Sequence, residues 1–399
     1  MPGPLAGIRV LELATFVAGP FAGRLLRDFG AEVIKVESPG SGDPIREWGN
    51  RKHDGKTIWW PVHSRGKRLV TLDLRQPRGQ ELCLRLARAC DILIENFRPG
   101  TLERWNLAPE QLLEANPGLI IGRVSGYGQT GPYSERAGFA SVGEAMGGLR
   151  YINGYPGEAP PRAGISLGDS LAGLFALQGI LMALYHRDAR GGAGQVVDAS
   201  ILESCFALLD NMVPEYGKFG YVREPNGTRI GYAVPSNVYR SRDQRWVVVA
   251  ANSDNLWRRL CAAIGKDELL ADPRFATYGD RIANVAAIDE VLAAWVGERD
   301  AAEVDRVLNG AGLVSGPVYS IADIFADPHY RDRGMLVSVD DPDFGEVVMP
   351  GVVPKLSETP GEVPPAGAWP LGADNHLVYG GLLGLDDAEI DQLAAEGVI

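Results

Sequence analysis

The sequence predicts an α/β fold: a large domain built on a Rossmann-like parallel sheet, followed by a small α+β domain. Three observations carry this. Short apolar strands alternate with helical patterns through the first half of the chain, which is the βαβ signature. The connections are short and use many of the 50 glycines and 27 prolines. Beyond Pro214 the pattern breaks into a Gly/Pro-rich stretch and then a hairpin with short helices.

A chain of 399 residues has length for more than one domain and a substantial core. Its 45% apolar and 23% charged residues are ordinary for a globular protein. A net charge of −12, with no basic tail or stripe, argues against a nucleic-acid partner. The four cysteines form no C-x-x-C pair and no metal-ligand spacing with the five histidines, so no metal site is expected. Cys83 and Cys90 fall in helical patterns and read as buried free thiols. Arg9, Glu12 and Arg24 interrupt the apolar runs too early for a secretory signal. The segment from Gly164 to Tyr185 approaches bilayer-spanning length, but Asp169, Gln178 and several glycines favour a core helix. The expectation is a cytoplasmic protein with no membrane partner.

In order, Ile8–Leu13 reads as a strand and Ala18–Gly23 as a glycine-containing turn into a helix, with Pro20 in its first turn. Gly30 ends that helix and Glu32–Glu37 is the next strand. Ligands in such sheets lie at the carboxyl ends of strands, which makes the Phe16–Gly23 turn a candidate site. The turn lacks the G-x-G-x-x-G fingerprint, so a nicotinamide or flavin dinucleotide is disfavoured despite Glu37 further on. Strands follow at Lys67–Arg75, Asp91–Asn96 and Leu119–Ser125, with a helix over Arg78–Cys90 and another bearing Arg104. Arg75, Arg98, Arg104 and Arg136 recur just beyond strands or in the following segments. That placement suits a phosphate-bearing ligand, although each alone reads as a solvated charge. Phe16, Phe97 and Phe139 are candidates to stack on a purine, with core packing as the default for each.

Gly164–Gly173 places Asp169 between small residues at the head of the apolar run Leu171–Tyr185. A helix starting at Asp169 or Ser170 is expected, which puts the carboxylate beside orphan N–H groups that favour its ionised form. Such a carboxylate is a competent nucleophile towards a thioester; the plainer reading is an N-cap. Gln195–Ala199 is a strand and Ile201 to Val213 helical, and Pro214–Ser236 reads as a linker. Asn237–Ser241 and Trp246–Ala250 form a hairpin, with short helices near Ser253, Ile288–Val296 and Asp300–Leu308. Strand-like pieces at Leu336–Val339 and Glu346–Met349 precede a closing helix, Asp386–Glu396, with an acidic first turn.

Taken together, several blocks make the chain resemble the class III coenzyme A transferases, the CaiB/BaiF family. They are Val10–Leu13 with Gly19-Pro20, Phe29–Glu37, Lys67-Arg68 with Leu72–Leu74, Asp91–Gly100, Ser125–Tyr133, and Gly168-Asp-Ser-x-Ala-Gly173. The match is close over the first half and looser beyond. The resemblance implies that Asp169 attacks an acyl-CoA thioester and carries the transfer through an aspartyl anhydride and an aspartyl-CoA thioester, with nearby backbone N–H groups stabilising the oxyanions. It implies coenzyme A contacts at Val17, Ala18, Leu72, Arg75, Asn96, Phe97 and Arg98, with phosphate contacts at Arg104 and Arg136. Coenzyme A or acyl-CoA is then substrate and a free carboxylic acid its partner, with no tightly bound cofactor. Succinyl-CoA is the preferred donor, and a dicarboxylate or hydroxy acid the preferred acceptor.

The family's architecture implies an interlocked homodimer of two threaded rings. The change of pattern along the chain divides it into a large domain over 1–213, a linker over 214–236 and a small α+β domain over 237–335. A return segment over 336–399 then packs its C-terminal helix on the large domain. Two positions depart from the pattern: Ser38 stands where relatives often carry Arg or Lys, and Val17 replaces a polar residue of formyl-CoA transferases. The glycine-run loop of those oxalate-handling enzymes has no counterpart. A 2-methylacyl-CoA racemase is the main alternative, but its base pair needs a histidine after the R-A-G segment, and Arg136-Ala-Gly is followed by Phe139. A non-catalytic acyl-CoA-binding protein with a relic Asp169 is a further alternative.

Overall fold

The computed structural model describes residues 3–399. The described residues divide into two compact units: residues 3–150, 162–217 and 329–399 form the larger, and residues 151–161 with 218–328 the smaller.

The larger unit is built on a parallel sheet of six strands. These are β1 (Arg9–Glu12), β2 (Glu32–Glu37), β3 (Arg68–Thr71), β4 (Ile92–Glu95), β5 (Ile120–Ser125) and β6 (Val196–Ser200). In space they run β3-β2-β1-β4-β5-β6, with every neighbouring pair parallel. The order reverses between β1 and β4, which makes that junction the topological switch point of a doubly wound sheet. Strands buried on both faces alternate their side chains between two cores. Val10, Val33, Ile92 and Ile120 enter one; Leu11, Ile34, Leu93 and Ile121 enter the other.

Helix α1 (Ala18–Asp28) follows β1, α2 (Pro77–Arg88) follows β3, and the short α3 (Ala140–Met146) lies beyond β5. Helix α4 (Leu167–Arg190) spans 24 residues and ends at Gly191, whose φ of 67° closes the helix in the left-handed region. Its buried stripe, Gly168, Ala172, Ala176 and Ile180, repeats every four residues. Small residues allow close approach: a Cβ on Gly173 would lie 2.6 Å from the Ala18 carbonyl of α1. By length and composition α4 is apolar enough to cross a bilayer, but in the unit its inner stripe packs on α1, β5 and β6. Helix α5 (Ile201–Phe206) follows β6 directly, capped by Ser200.

The expected Ile201–Val213 helix is broken after Phe206, and a separate helix over Met212–Phe219 runs into the stretch read as linker. The C-terminal residues border β3: Asp374 accepts from the Leu69 N–H at 2.7 Å, and the Tyr379 hydroxyl donates to the Thr71 carbonyl at 2.7 Å. All four cysteines are free and buried.

The smaller unit carries a three-stranded antiparallel sheet. The anticipated hairpin, Ser236–Arg240 with Trp246–Ala250, gains a third strand, Val314–Pro317. Its core gathers Trp257, Phe275 and Trp295. The pieces after Leu336 form a hairpin of their own, Leu336–Asp341 with Gly345–Pro350, in the larger unit.

Candidate active site

The carboxyl ends of β1 and β4 part at the switch point, and a cleft of about 190 Å³ opens there. Asn96 ties the two loops together: its side chain accepts from the Thr15 N–H at 2.8 Å and donates to the Thr15 carbonyl at 2.7 Å. Thr15, Val17 and Ala18 line the cleft on the β1 side, and Asn96, Phe97 and Arg98 on the β4 side. Asp169, Arg136 and Phe139 complete much of the wall. Residues from the first turns of both α1 and α4 face this space, and two positive helix ends suit an anionic ligand.

Of the residues expected to hold coenzyme A, Val17, Ala18, Asn96, Phe97, Arg98 and Arg136 therefore meet around Asp169. Three lie outside the cleft walls. Leu72 is buried in the core, Arg75 pairs with Asp73 at 2.8 Å beyond β3, and Arg104 donates to the Thr101 hydroxyl at 2.9 Å. All three proposed purine-stacking rings, Phe16, Phe97 and Phe139, line the cleft. Phe16 packs on Trp48 with centroids 5.2 Å apart, and Trp48 meets Trp59 edge-on at 5.6 Å. Arg136 lies over the Tyr133 ring, 3.8 Å from its centroid.

Asp169 is half-buried in the third position of α4, because the helix begins at Leu167 with Ser166 as N-cap. The expectation that the helix mouth favours its ionised form is reversed. Burial comes first and the neighbouring Glu144 second in pushing the carboxyl up to about 6, against the pull of Arg162. At neutral pH it is still mostly anionic. The expectation of free N–H donors beside it also narrows: the Gly168 N–H is taken by Glu144 and that of Ser170 by the Ser166 carbonyl.

Two site residues escaped the sequence reading. Glu144 is a lone acid in a run of small and apolar residues, and that setting is the one signal in the sequence of its burial. Asp43, beneath Phe16, reads locally as the cap of a short turn. Among the described residues no group of three or more His, Cys, Asp or Glu side chains is arranged to hold a metal ion.

A doubly wound sheet with one raised carboxyl in a cleft flanked by arginines is a frame suited to an anionic ligand. The profile described as CoA-transferase family III matches residues 5–375. The chain belongs to that family and is a family III CoA-transferase. It is 49% identical over 398 residues to a succinyl-CoA–D-citramalate CoA-transferase of Chloroflexus aurantiacus, covering 100% of this chain and 98% of the relative. The alpha subunit of a succinyl-CoA–L-malate CoA-transferase from Chloroflexus aurantiacus is 44% identical, over 99% of this chain and 92% of its own. Among solved structures, a CaiB/BaiF family protein from Brucella suis matches with a TM-score of 0.84 at 32% identity, covering 96% of this chain and 100% of its own.

Proposed function

We propose that this CoA-transferase moves coenzyme A from succinyl-CoA to a dicarboxylic or hydroxy acid, with Asp169 as the covalent nucleophile. The observation that carries the reading is the half-buried Asp169 carboxylate in the switch-point cleft, with Arg98 and Arg136 on the same walls. The names of the relatives support succinyl-CoA as donor and a small carboxylic acid as acceptor.

The chemistry balances without another cofactor. An Asp169 oxygen attacks the thioester carbonyl, the C–S bond breaks, and coenzyme A leaves as thiolate from a mixed anhydride. The thiolate attacks the aspartyl carbonyl of that anhydride, the bridging C–O bond breaks, and succinate departs from an aspartyl-CoA thioester. The acceptor carboxylate then attacks the thioester and displaces the thiolate again. The thiolate takes the acceptor acyl group and regenerates Asp169. Val17, Ala18, Asn96, Phe97, Arg98 and Arg136 would hold the coenzyme near the reacting end. Leu72, Arg75 and Arg104 would serve parts of the coenzyme that reach past the cleft.

Homodimerisation belongs to the same proposal. The outer side of α4 exposes Leu174, Leu181, Met182 and Tyr185, the last two at 60% each. An apolar stripe of that kind on a central helix suits burial by a second copy. Sedimentation velocity should return a dimer; a monomer at micromolar concentration overturns it. The four free thiols suit a reducing compartment such as the cytoplasm.

Incubation with succinyl-CoA and hydroxylamine tests the nucleophile, because hydroxylamine traps an activated carboxyl as a hydroxamate. A mass change on the Asp169 peptide, absent in Asp169→Ala, is the expected result. A panel of acyl-CoAs that never labels Asp169 overturns the assignment.

A further inference from the structure

Helix α4 starts without a cap of its own. Ser166 stands at its N-cap and makes no side-chain cap hydrogen bond. The N–H of Gly168 is met instead by Glu144 Oε1 at 3.1 Å, reaching across from α3. Glu144 is only 2% exposed. A carboxylate on a first-turn N–H does the work of an N-cap and complements the positive end of the dipole.

The surrounding backbone is tight. A Cβ on Gly143 would come within 2.5 Å of Ile201 Cγ2, and one on Gly168 within 2.9 Å of the same atom. Helices α3, α4 and α5 thus meet at contacts that glycine admits most easily. The residue after the capped Gly168 is Asp169, so two carboxyl groups share one helix mouth.

We propose that Glu144 is a positioning residue for the transfer: it fixes the turn that carries Asp169, and its negative charge makes that carboxylate a stronger nucleophile towards a thioester. The inference rests on the reading of Asp169 as nucleophile. Acylation turns the Asp169 anion into a neutral acyl group, so repulsion from Glu144 is present before the attack and relieved by it. The raised Asp169 carboxyl, with Glu144 as its second cause after burial, agrees with this electrostatic arrangement. The other groups facing Asp169 do not replace Glu144. Arg162, on the preceding segment, pulls the other way. The Cys205 thiol of α5 is pushed up to about 11 by burial and is neutral. Arg98 and Arg136 line the cleft as cations, and α1 brings Ala18 there, which does not titrate.

Two variants of the full-length protein separate cap from charge. Glu144→Gln keeps an acceptor oxygen for the Gly168 N–H but removes the charge; Glu144→Asp keeps the charge but is too short to cap. The readout is the rate of hydroxamate labelling of Asp169 by succinyl-CoA between pH 4.5 and 8, at a fixed concentration of unprotonated hydroxylamine, with KM for succinyl-CoA alongside. Wild-type labelling should fall away below about pH 6. Glu144→Gln should move that acid limb down by roughly one pH unit and lower the plateau about 3- to 10-fold. Glu144→Asp should leave the limb in place and lower the plateau about tenfold, with KM little changed in either variant. A Glu144→Gln profile that superimposes on wild type overturns the charge role, and an undiminished Glu144→Asp plateau overturns the positioning role. Wild-type protein that never labels at Asp169 brings down the nucleophile reading itself. Normal wild-type labelling with unmoved variants brings down only Glu144.

Discussion

Asp43 Oδ1 accepts a hydrogen bond from the backbone N–H of Phe16 at 3.0 Å, and Phe16 is held at φ 61°, in the left-handed region that non-glycine residues rarely enter. The same buried carboxylate pairs through Oδ2 with Lys35 at 2.6 Å. Lys35 in turn donates to the Ala14 carbonyl and lies 3.5 Å from Glu12. The charged cluster under the sheet thus fixes the backbone from Ala14 to Phe16, which leads into the cleft wall. Removing Asp43 takes the close carboxylate from buried Lys35, leaving it the Ala14 carbonyl and Glu12 at 3.5 Å, and releases Phe16 from its strained conformation. Asp43→Ala should lose about 3 kcal/mol in a denaturant titration and raise KM for acyl-CoA about tenfold. Unchanged stability would mean that the cluster relaxes around the loss.

Asp169 predicts a trade between stability and activity. Its carboxyl is raised from 3.8 to about 6 in the fold, mainly by burial and then by Glu144. Folding therefore favours the protonated form. This group costs nothing below about pH 4, and its cost grows as pH rises towards 6. Above that pH the penalty reaches at most about 3 kcal/mol. Asp169→Asn removes the charge at nearly equal volume. It should abolish transfer while raising the thermal midpoint at pH 7.5 and leaving it nearly unchanged at pH 4. Equal midpoints at both pH values would contradict the raised carboxyl.

The strands of the large sheet were legible because parallel strands covered on both faces carry short apolar runs, as Ile92-Leu-Ile94 and Leu119-Ile-Ile121 do. Asp169 stands out in the sequence as a lone charge heading an apolar helix; of the four arginines singled out by their places after strands, Arg98 and Arg136 line the cleft and Arg75 and Arg104 do not. The start of that helix was misjudged because its cap is not local: Ser166 makes no cap bond, and Glu144 supplies it from another helix. Nothing in the spacing of the two residues announces that contact. The strand Val314–Pro317 was missed because it is short, lies at a sheet edge and contains Gly316 and Pro317, which usually argue against a strand. Buried charges such as Asp43 and Lys35 carry the least local signal, because each reads alone as a surface residue.

Arg136 separates binding from chemistry. It lines the cleft and lies 3.8 Å from the Tyr133 ring centroid, a contact that orients the guanidinium without neutralising it. If it meets a phosphate of the coenzyme, that contact is the same in ground and transition states. Arg136→Ala should then raise KM for succinyl-CoA about tenfold with kcat within a factor of two or so of wild type. Arg136→Lys should recover part of the loss. A fall in kcat at unchanged KM would assign Arg136 to the reacting end instead.

Gly173 tests whether the close approach of α1 and α4 shapes the cleft. A Cβ there would sit 2.6 Å from the Ala18 carbonyl and 3.0 Å from Phe21 Cδ1. The first is backbone and cannot swing away, so Gly173→Ala must push the two helices apart or shift α1 along its axis. Ala18 lines the cleft and Asp169 lies one turn before Gly173, so the shift alters the distance between coenzyme wall and nucleophile. The variant should lose about 1–3 kcal/mol of stability. A displacement near 1 Å should lower the rate of Asp169 labelling on the order of 100-fold. Helix propensity works in the opposite direction, since alanine is better than glycine inside a helix by about 1 kcal/mol. A stabilised, fully active Gly173→Ala protein would therefore show that the helices yield without cost and that their spacing does not set the geometry of attack.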